Sequence, residues 1–241
     1  MGTHRGGWEW AEDGMIPGFC VTFTRDRTPE TVLAAYGADV RQASVLTMED
    51  TAGAFPKGGT VLRAGMLGTW AFCFEDREPE GFKEGGQNRL SAGTETLELF
   101  LGGDGLVTFT YRCNQRRIEY FEPGNPRTVR GDGPHRFWQA VQDVLDAATA
   151  PVTLSHAGLQ VIGQYIGASL DKATLEGPLL TAFLADTNRE TLPPTPERPL
   201  PPELRAATGP GLGPLIPSPH PAAAEAEHVP NVVDTSSSGL P

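Results

Sequence analysis

Lysine is almost missing from this chain. Lys57, Lys83 and Lys172 are the whole complement, and 19 Lys+Arg face 30 Asp+Glu, a formal net charge of −11 over 241 residues. Nucleic acid and anionic membrane surfaces both reward a basic patch, so this balance argues against either as the main partner. Cysteine is scarce as well: Cys20, Cys73 and Cys113 cannot all pair within one chain and form no C-x-x-C. A disulfide framework and a cysteine zinc site are therefore not expected, and a reducing, cytoplasmic setting is the simplest reading. No stretch approaches the run of about 18 apolar residues that a membrane helix needs. The first fifteen residues carry no apolar core of a secretory leader, so none is expected.

Several chemistries are also missing. There is no G-x-x-x-x-G-K-[ST] phosphate loop and no G-x-S-x-G elbow. The string Gly209-Pro210-Gly211-Leu212-Gly213 has no strand before it and no helix after it, so it is no dinucleotide site. His4, His135, His156, His220 and His228 are scattered, without metal-ligand spacing. No metal and no cofactor is expected. Glu49-Asp50 and Glu75-Asp76 are adjacent pairs, whose side chains point apart and make poor acid/base couples. The three cysteines fall on expected strands, where a thiol is a small core residue.

What is present divides the chain near residue 190. From Thr191 to Pro241 there are 13 of the 22 prolines and no aromatic residue. So few large apolar groups cannot offset the entropy of ordering, so residues 191–241 are expected to be a disordered Pro/Ala/Ser-rich tail. The spacing of Pro193, Pro196 and Pro199 fits P-x-x-P formally, as chance allows in such a composition. Residues 1–190 are expected to form one domain.

Within that domain strands come first and helices last. Phe19, Val21 and Phe23 alternate over a first strand, 19–24. Thr28 caps a helix with Pro29 at its first position, ending at Gly37. Thr47 caps a second short helix to Phe55. Strands follow at 61–64 and 69–75, the latter with Trp70, Phe72 and Phe74 on one face. A helix over 79–90 is weakened by Gly81, Gly85 and Gly86. The strands 94–101 and 106–113, joined by Gly102-Gly103-Asp104-Gly105, give the clearest hairpin. A sixth strand covers 116–121. Helices are expected over 134–148, 153–167 and 170–184, the last from Leu175, Leu179, Leu180, Phe183 and Leu184. The fold class is α+β: a mainly antiparallel sheet of about five to six strands, with N-terminal short helices and three C-terminal helices packed on it. Arg112, Arg116, Arg117, Arg127 and Arg130 gather around the last strand. They read either as protection of a sheet edge, the favoured account, or as a site for an acidic partner or phosphate.

Four pieces in this order carry a resemblance: Cys20-Val21-Thr22-Phe23 with Thr28-Pro29-Glu30; Leu90-Ser91-Ala92-Gly93-Thr94-Glu95; Phe121-Glu122-Pro123; and Leu175-Glu176-Gly177-Pro178-Leu179-Leu180. Over about residues 8–185 the chain resembles an uncharacterised actinobacterial family defined only as a domain of unknown function. The resemblance implies a tryptophan before the first strand, where Trp8 and Trp10 stand, and implies no activity, cofactor or catalytic residue.

No catalytic residue is assigned. The leading expectation is a cytoplasmic, non-enzymatic protein-binding or regulatory module, whose partner is another protein. The alternative is an enzyme or small-ligand binder using scattered polar residues: Arg89, Ser91, Thr94, Glu95 and Glu122. A third reading is a structural subunit of a homo-oligomer.

Overall fold

In the computed structural model, which describes residues 7–11, 18–55, 59–76 and 79–185, the strand β1 (Phe19–Arg25) is buried on both sides along its first six residues. Both of its rows therefore face a core, and that explains the rest of the architecture. The elements that follow are α1 (Pro29–Tyr36), β2 (Ser44–Leu46), α2 (Met48–Ala54), β3 (Gly59–Leu67), β4 (Trp70–Glu75) and α3 (Glu84–Leu90). Next come β5 (Glu95–Leu101), β6 (Val107–Cys113), β7 (Arg116–Glu122) and β8 (Asn125–Arg130). The chain then forms α4 (Arg136–Ala147), α5 (Leu154–Ile166), α6 (Lys172–Glu176) and β9 (Leu179–Ala185). All described pairings are antiparallel, in one nine-stranded sheet of order β2-β9-β3-β4-β1-β5-β6-β7-β8.

The fold is α+β with a mainly antiparallel sheet, as the patterning implied. The strand count is a correction: β2, β8 and β9 add to the six read from the sequence. Three residues of β2 are too few to show a period, and β8 contains Pro126 and two arginines, a composition that reads as loop. Residues 170–184 are the larger correction. Their apolar spacing fits a helix, but Gly177-Pro178 ends α6 after five residues and the rest becomes β9, paired with both β2 and β3. Proline lacks the amide donor and pushes the residue before it out of the helical region, so the break is local chemistry. Two long helices and one short one therefore follow β8, and β9 then returns to the sheet.

The front face of the sheet carries Phe19, Val21, Phe23, Trp70, Phe72, Phe74, Leu97, Leu99 and Phe109, packed against α4 and α5 through Phe137, Val141, Leu159 and Ile162. Trp8 and Trp10 close this layer, and Trp10 Nε1 donates to the Leu170 carbonyl at 2.6 Å. The back face carries Leu62, Ala64, Ala71 and Cys73 under Val32, Leu33 and Tyr36 of α1 and Leu90 of α3. The capping box at Thr28 and the left-handed Gly37 (φ 97°) bound α1 as its sequence requires. The helix expected over 79–90 shortens to α3. A Cβ on Gly81 would stand 2.5 Å from Tyr36 Oη and 2.6 Å from Glu75 Oε1, so residues 80–83 instead form a turn pressed onto the sheet.

The arginine cluster divides. Arg127 and Arg130 lie on the edge strand β8, while Arg112 is buried under α3. The chain splits into two units, residues 1–196 and 197–241. Every described residue belongs to the first, and the proline-rich segment with its P-x-x-P spacing lies outside the described residues. No helix among the described residues is long and apolar enough to cross a membrane.

Candidate functional site

Glu95 has the same strand parity as Leu97 and Leu99, so the first residue of β5 places a carboxylate on the apolar front face. A carboxylate taken from water there must be given donors. Arg25 Nη1 donates to Oε1 at 3.0 Å; Tyr111 Oη and Tyr165 Oη donate to Oε2 at 2.9 and 2.8 Å. Tyr111 comes from the inward row of β6, and Tyr165 from the last turn of α5. Trp70 meets the Tyr165 ring edge-on at 5.9 Å. The guanidinium of Arg136, at the first position of α4, lies 5.1, 4.7 and 4.8 Å from the ring centroids of Tyr111, Phe137 and Tyr165. Its Nη2 donates to Tyr165 Oη at 3.1 Å.

The protonation of this cluster is fixed at neutral pH. Burial pushes Glu95 up, but the hydrogen bonds from Arg25, Tyr165 and Tyr111 outweigh it and hold the carboxyl below its usual range. Burial and the adjacent carboxylate raise both tyrosines, Tyr111 far above its ordinary value. Desolvation lowers Arg136, and the bond to Tyr165 with the nearby acidic groups more than restores it.

Of the five residues singled out in the sequence, Thr94 and Glu95 belong here; Thr94 Oγ1 donates to the Arg25 carbonyl at 2.8 Å. Arg89 Nε donates to the Ala35 carbonyl and ties α3 to the end of α1. Ser91 is fully buried and returns its hydroxyl to the Gln87 carbonyl at 2.7 Å. Glu122 lies on the opposite face, six residues along β7 from Arg116, or about 20 Å at strand rise. There its Oε2 accepts from Asn125 Nδ2 at 2.9 Å and shapes the β7–β8 turn. The structure thus brings two of the five together and leaves three in local structural bonds. Arg25, Tyr111, Arg136 and Tyr165 escaped the sequence reading. The available signal was Glu95 itself, an acid ending an apolar row.

A second polar cluster lies on the back face, enclosed by α1 and α3. Glu75 accepts from the backbone N–H groups of Glu80 (2.6 Å) and Gly81 (2.9 Å). Glu98 Oε2 accepts from Gln87 Nε2 at 2.9 Å, and Gln87 Oε1 accepts from Arg112 Nε at 3.0 Å. Glu98 Oε1 has no hydrogen bond among the described residues, with Thr110 across the strand pair. Burial pushes Glu75 up to about 7 and Glu98 up to about 8. Burial and these carboxylates also push the Cys20 and Cys73 thiols up, so neither is a ready nucleophile.

Helices α4 and α5 frame an open cleft of about 830 Å³ on the outside of the front layer. Ala140, Val144, Ala147 and Val152 give it an apolar lining, and Asp143, Gln160 and Gln164 add polar atoms. Trp8 packs beneath Gly163, where a Cβ would stand 2.9 Å from Trp8 Nε1. Asp143 accepts from Gln139 Nε2 at 2.8 Å and forms no ion pair among the described residues.

Neither a curated protein nor a solved structure matches the chain. A family model described as a family of unknown function, DUF6461, matches residues 6–153, from the tryptophan pair to the loop after α4. Glu95, Tyr111 and Arg136 fall inside that match and Tyr165 outside it. The match spans more than half of the sequence, and the chain belongs to this family.

Proposed function

We propose that this domain is a cytoplasmic, non-enzymatic protein-binding module, and that the α4–α5 cleft receives a peptide segment of its partner. The cleft carries the reading. Its volume of about 830 Å³ suits several side chains, and its lining is apolar and short-chained, leaving room for side chains brought by a partner. Asp143, unpaired by any cation among the described residues, calls for a basic residue on that segment. The net charge of −11 steers a basic partner toward it. The titratable groups support binding over proton transfer. Those around Glu95 are all displaced away from neutrality, whereas a general acid or base works best with a pKa near the working pH. Glu75 and Glu98 do titrate near neutrality, but both are sealed under α1 and α3.

The test is affinity capture from native extract with full-length protein, with Ala147→Trp, and with Met66→Trp as a control. Ala147 and Met66 are both exposed, so both variants should fold. The wild type and Met66→Trp should retain the same stoichiometric protein, and Ala147→Trp should lose it at least tenfold. Equal capture by all three would overturn the assignment of the cleft.

A further inference from the structure

We propose that Arg136 anchors a carboxylate-binding site on the front surface, distinct from the α4–α5 cleft. The argument begins with how the side chain is held. His135 takes a left-handed conformation (φ 48°, ψ 44°) and turns the chain into α4 with Arg136 as its first helical residue. The helix N-terminus is already filled. Glu119 of β7 accepts from the Phe137 and Trp138 N–H groups at 3.2 and 2.7 Å, so no ligand is needed there. Arg136 has a different task. Three rings pack around its guanidinium and one Nη2 bond to Tyr165 sets its rotation. Tyr165 is in turn fixed by Glu95.

The guanidinium is therefore pre-oriented, yet among the described residues it makes no ion pair and one hydrogen bond. A guanidinium has five N–H donors in a planar fork. The residue is exposed, so the unused edge meets solvent. Glu95 does not claim that edge, because its own oxygens are bonded to Arg25, Tyr111 and Tyr165. Arg25 is met by Glu95 at 3.0 Å and by Asp26 at 3.6 Å, whereas Arg136 has no carboxylate in ion-pair contact among the described residues. A planar carboxylate matches the fork bidentately, and the flat ring walls admit the planar group it belongs to. A singly charged anion is favoured over a phosphate dianion, since the Glu95 carboxylate stands directly behind Tyr165 and repels a second negative charge.

The site is tested on the full-length protein by following the Arg136 Nε–H resonance. The probes are sodium acetate, an N-acetylated tripeptide with a free C-terminus, its C-terminal amide, inorganic phosphate and sodium chloride at matched ionic strength. Acetate and the free-acid peptide should give a saturable shift, with the amide, phosphate and chloride giving none. A response to the peptide at least tenfold stronger than to acetate identifies a peptide terminus as the source; equal responses identify a free small acid. Arg136→Lys keeps the charge but loses the fork, and should weaken carboxylate binding at least tenfold. Arg127→Lys, on the exposed edge strand, should leave it unchanged. Circular dichroism checks that each variant is folded. A linear response, an equal response to chloride, or full binding by Arg136→Lys would overturn the site. No partner protein enters this experiment, so its failure is separable from failure of the cleft reading.

Discussion

Replacing Glu98 by glutamine should stabilise this protein, and the gain should grow with pH. Glu98 is buried in the folded chain, its Oε1 is without a hydrogen bond among the described residues, and its pKa is pushed up to about 8 from an ordinary 4.5. Arg112 does not neutralise it directly, since Gln87 stands between the two and the guanidinium pairs with Glu84. The folded protein therefore keeps a proton that the unfolded chain releases between pH 4.5 and 8. Where the folded state binds more protons, stability falls as pH rises; it is highest below 4.5 and levels off above 8. A pKa raised from 4.5 to about 8 corresponds to about 5 kcal/mol lost by pH 9, and to about 1 kcal/mol by pH 5. Glutamine copies the protonated acid in shape and has no charge to desolvate. Urea unfolding of Glu98→Gln and wild type should then differ by about 1 kcal/mol or less near pH 5 and by several kcal/mol, in the mutant's favour, near pH 9. A mutant that is equally or more destabilised at both pH values would refute the reasoning. It would mean that Glu98 is ionised and held by Arg112 through Gln87.

Three further outcomes follow from local geometry. Glu119→Gln weakens two charge-assisted bonds to the first turn of α4 and should cost about 1–2 kcal/mol in urea unfolding, with lower helicity near α4. Gly81→Ala should destabilise by about 1–3 kcal/mol because its Cβ meets Tyr36 and Glu75, whereas Gly53→Ala, in open space on α2, should be neutral or stabilising by up to about 1 kcal/mol; thermal melts separate the two. Glu95→Gln should let Tyr111 and Tyr165 ionise at lower pH in an ultraviolet titration, since the carboxylate no longer opposes their charge. In the wild type the Glu95 contribution runs opposite to that of Glu98. Its folded pKa is lowered, so its stabilisation is present above the ordinary carboxylate range and is lost as pH falls through the lowered value.

Helix ends and the central hairpin were legible because their signals are local. Thr28-Pro29 and Gly37 suffice to bound α1, and Asn114-Gln115, both at positive φ, turn β6 into β7. The layering was harder to read. Thr22, Thr24, Thr96, Thr110 and Arg112 alternate with apolar residues as if one face met water, yet all are buried under the back helices. Polar residues on a covered sheet face satisfy one another, as Thr24 and Thr96 do at 3.2 Å, so alternation alone does not reveal the second layer. The position of β9 depends on partners 116 to 137 residues earlier in the chain, and no local period encodes that. Glu95 is legible as a candidate, but its donors come from β1, β6 and α5, and Arg136 of α4 joins through Tyr165, which only the folded topology brings together.

The claim that matters most is that the α4–α5 cleft is where a protein partner binds. Hydrogen exchange across the whole chain, with and without the captured partner, tests it most directly. Exchange should slow over residues 140–164, with the sheet and the back helices unchanged. Protection confined to the β8 edge or to α1 and α3, with α4 and α5 exchanging as in the free protein, would contradict it.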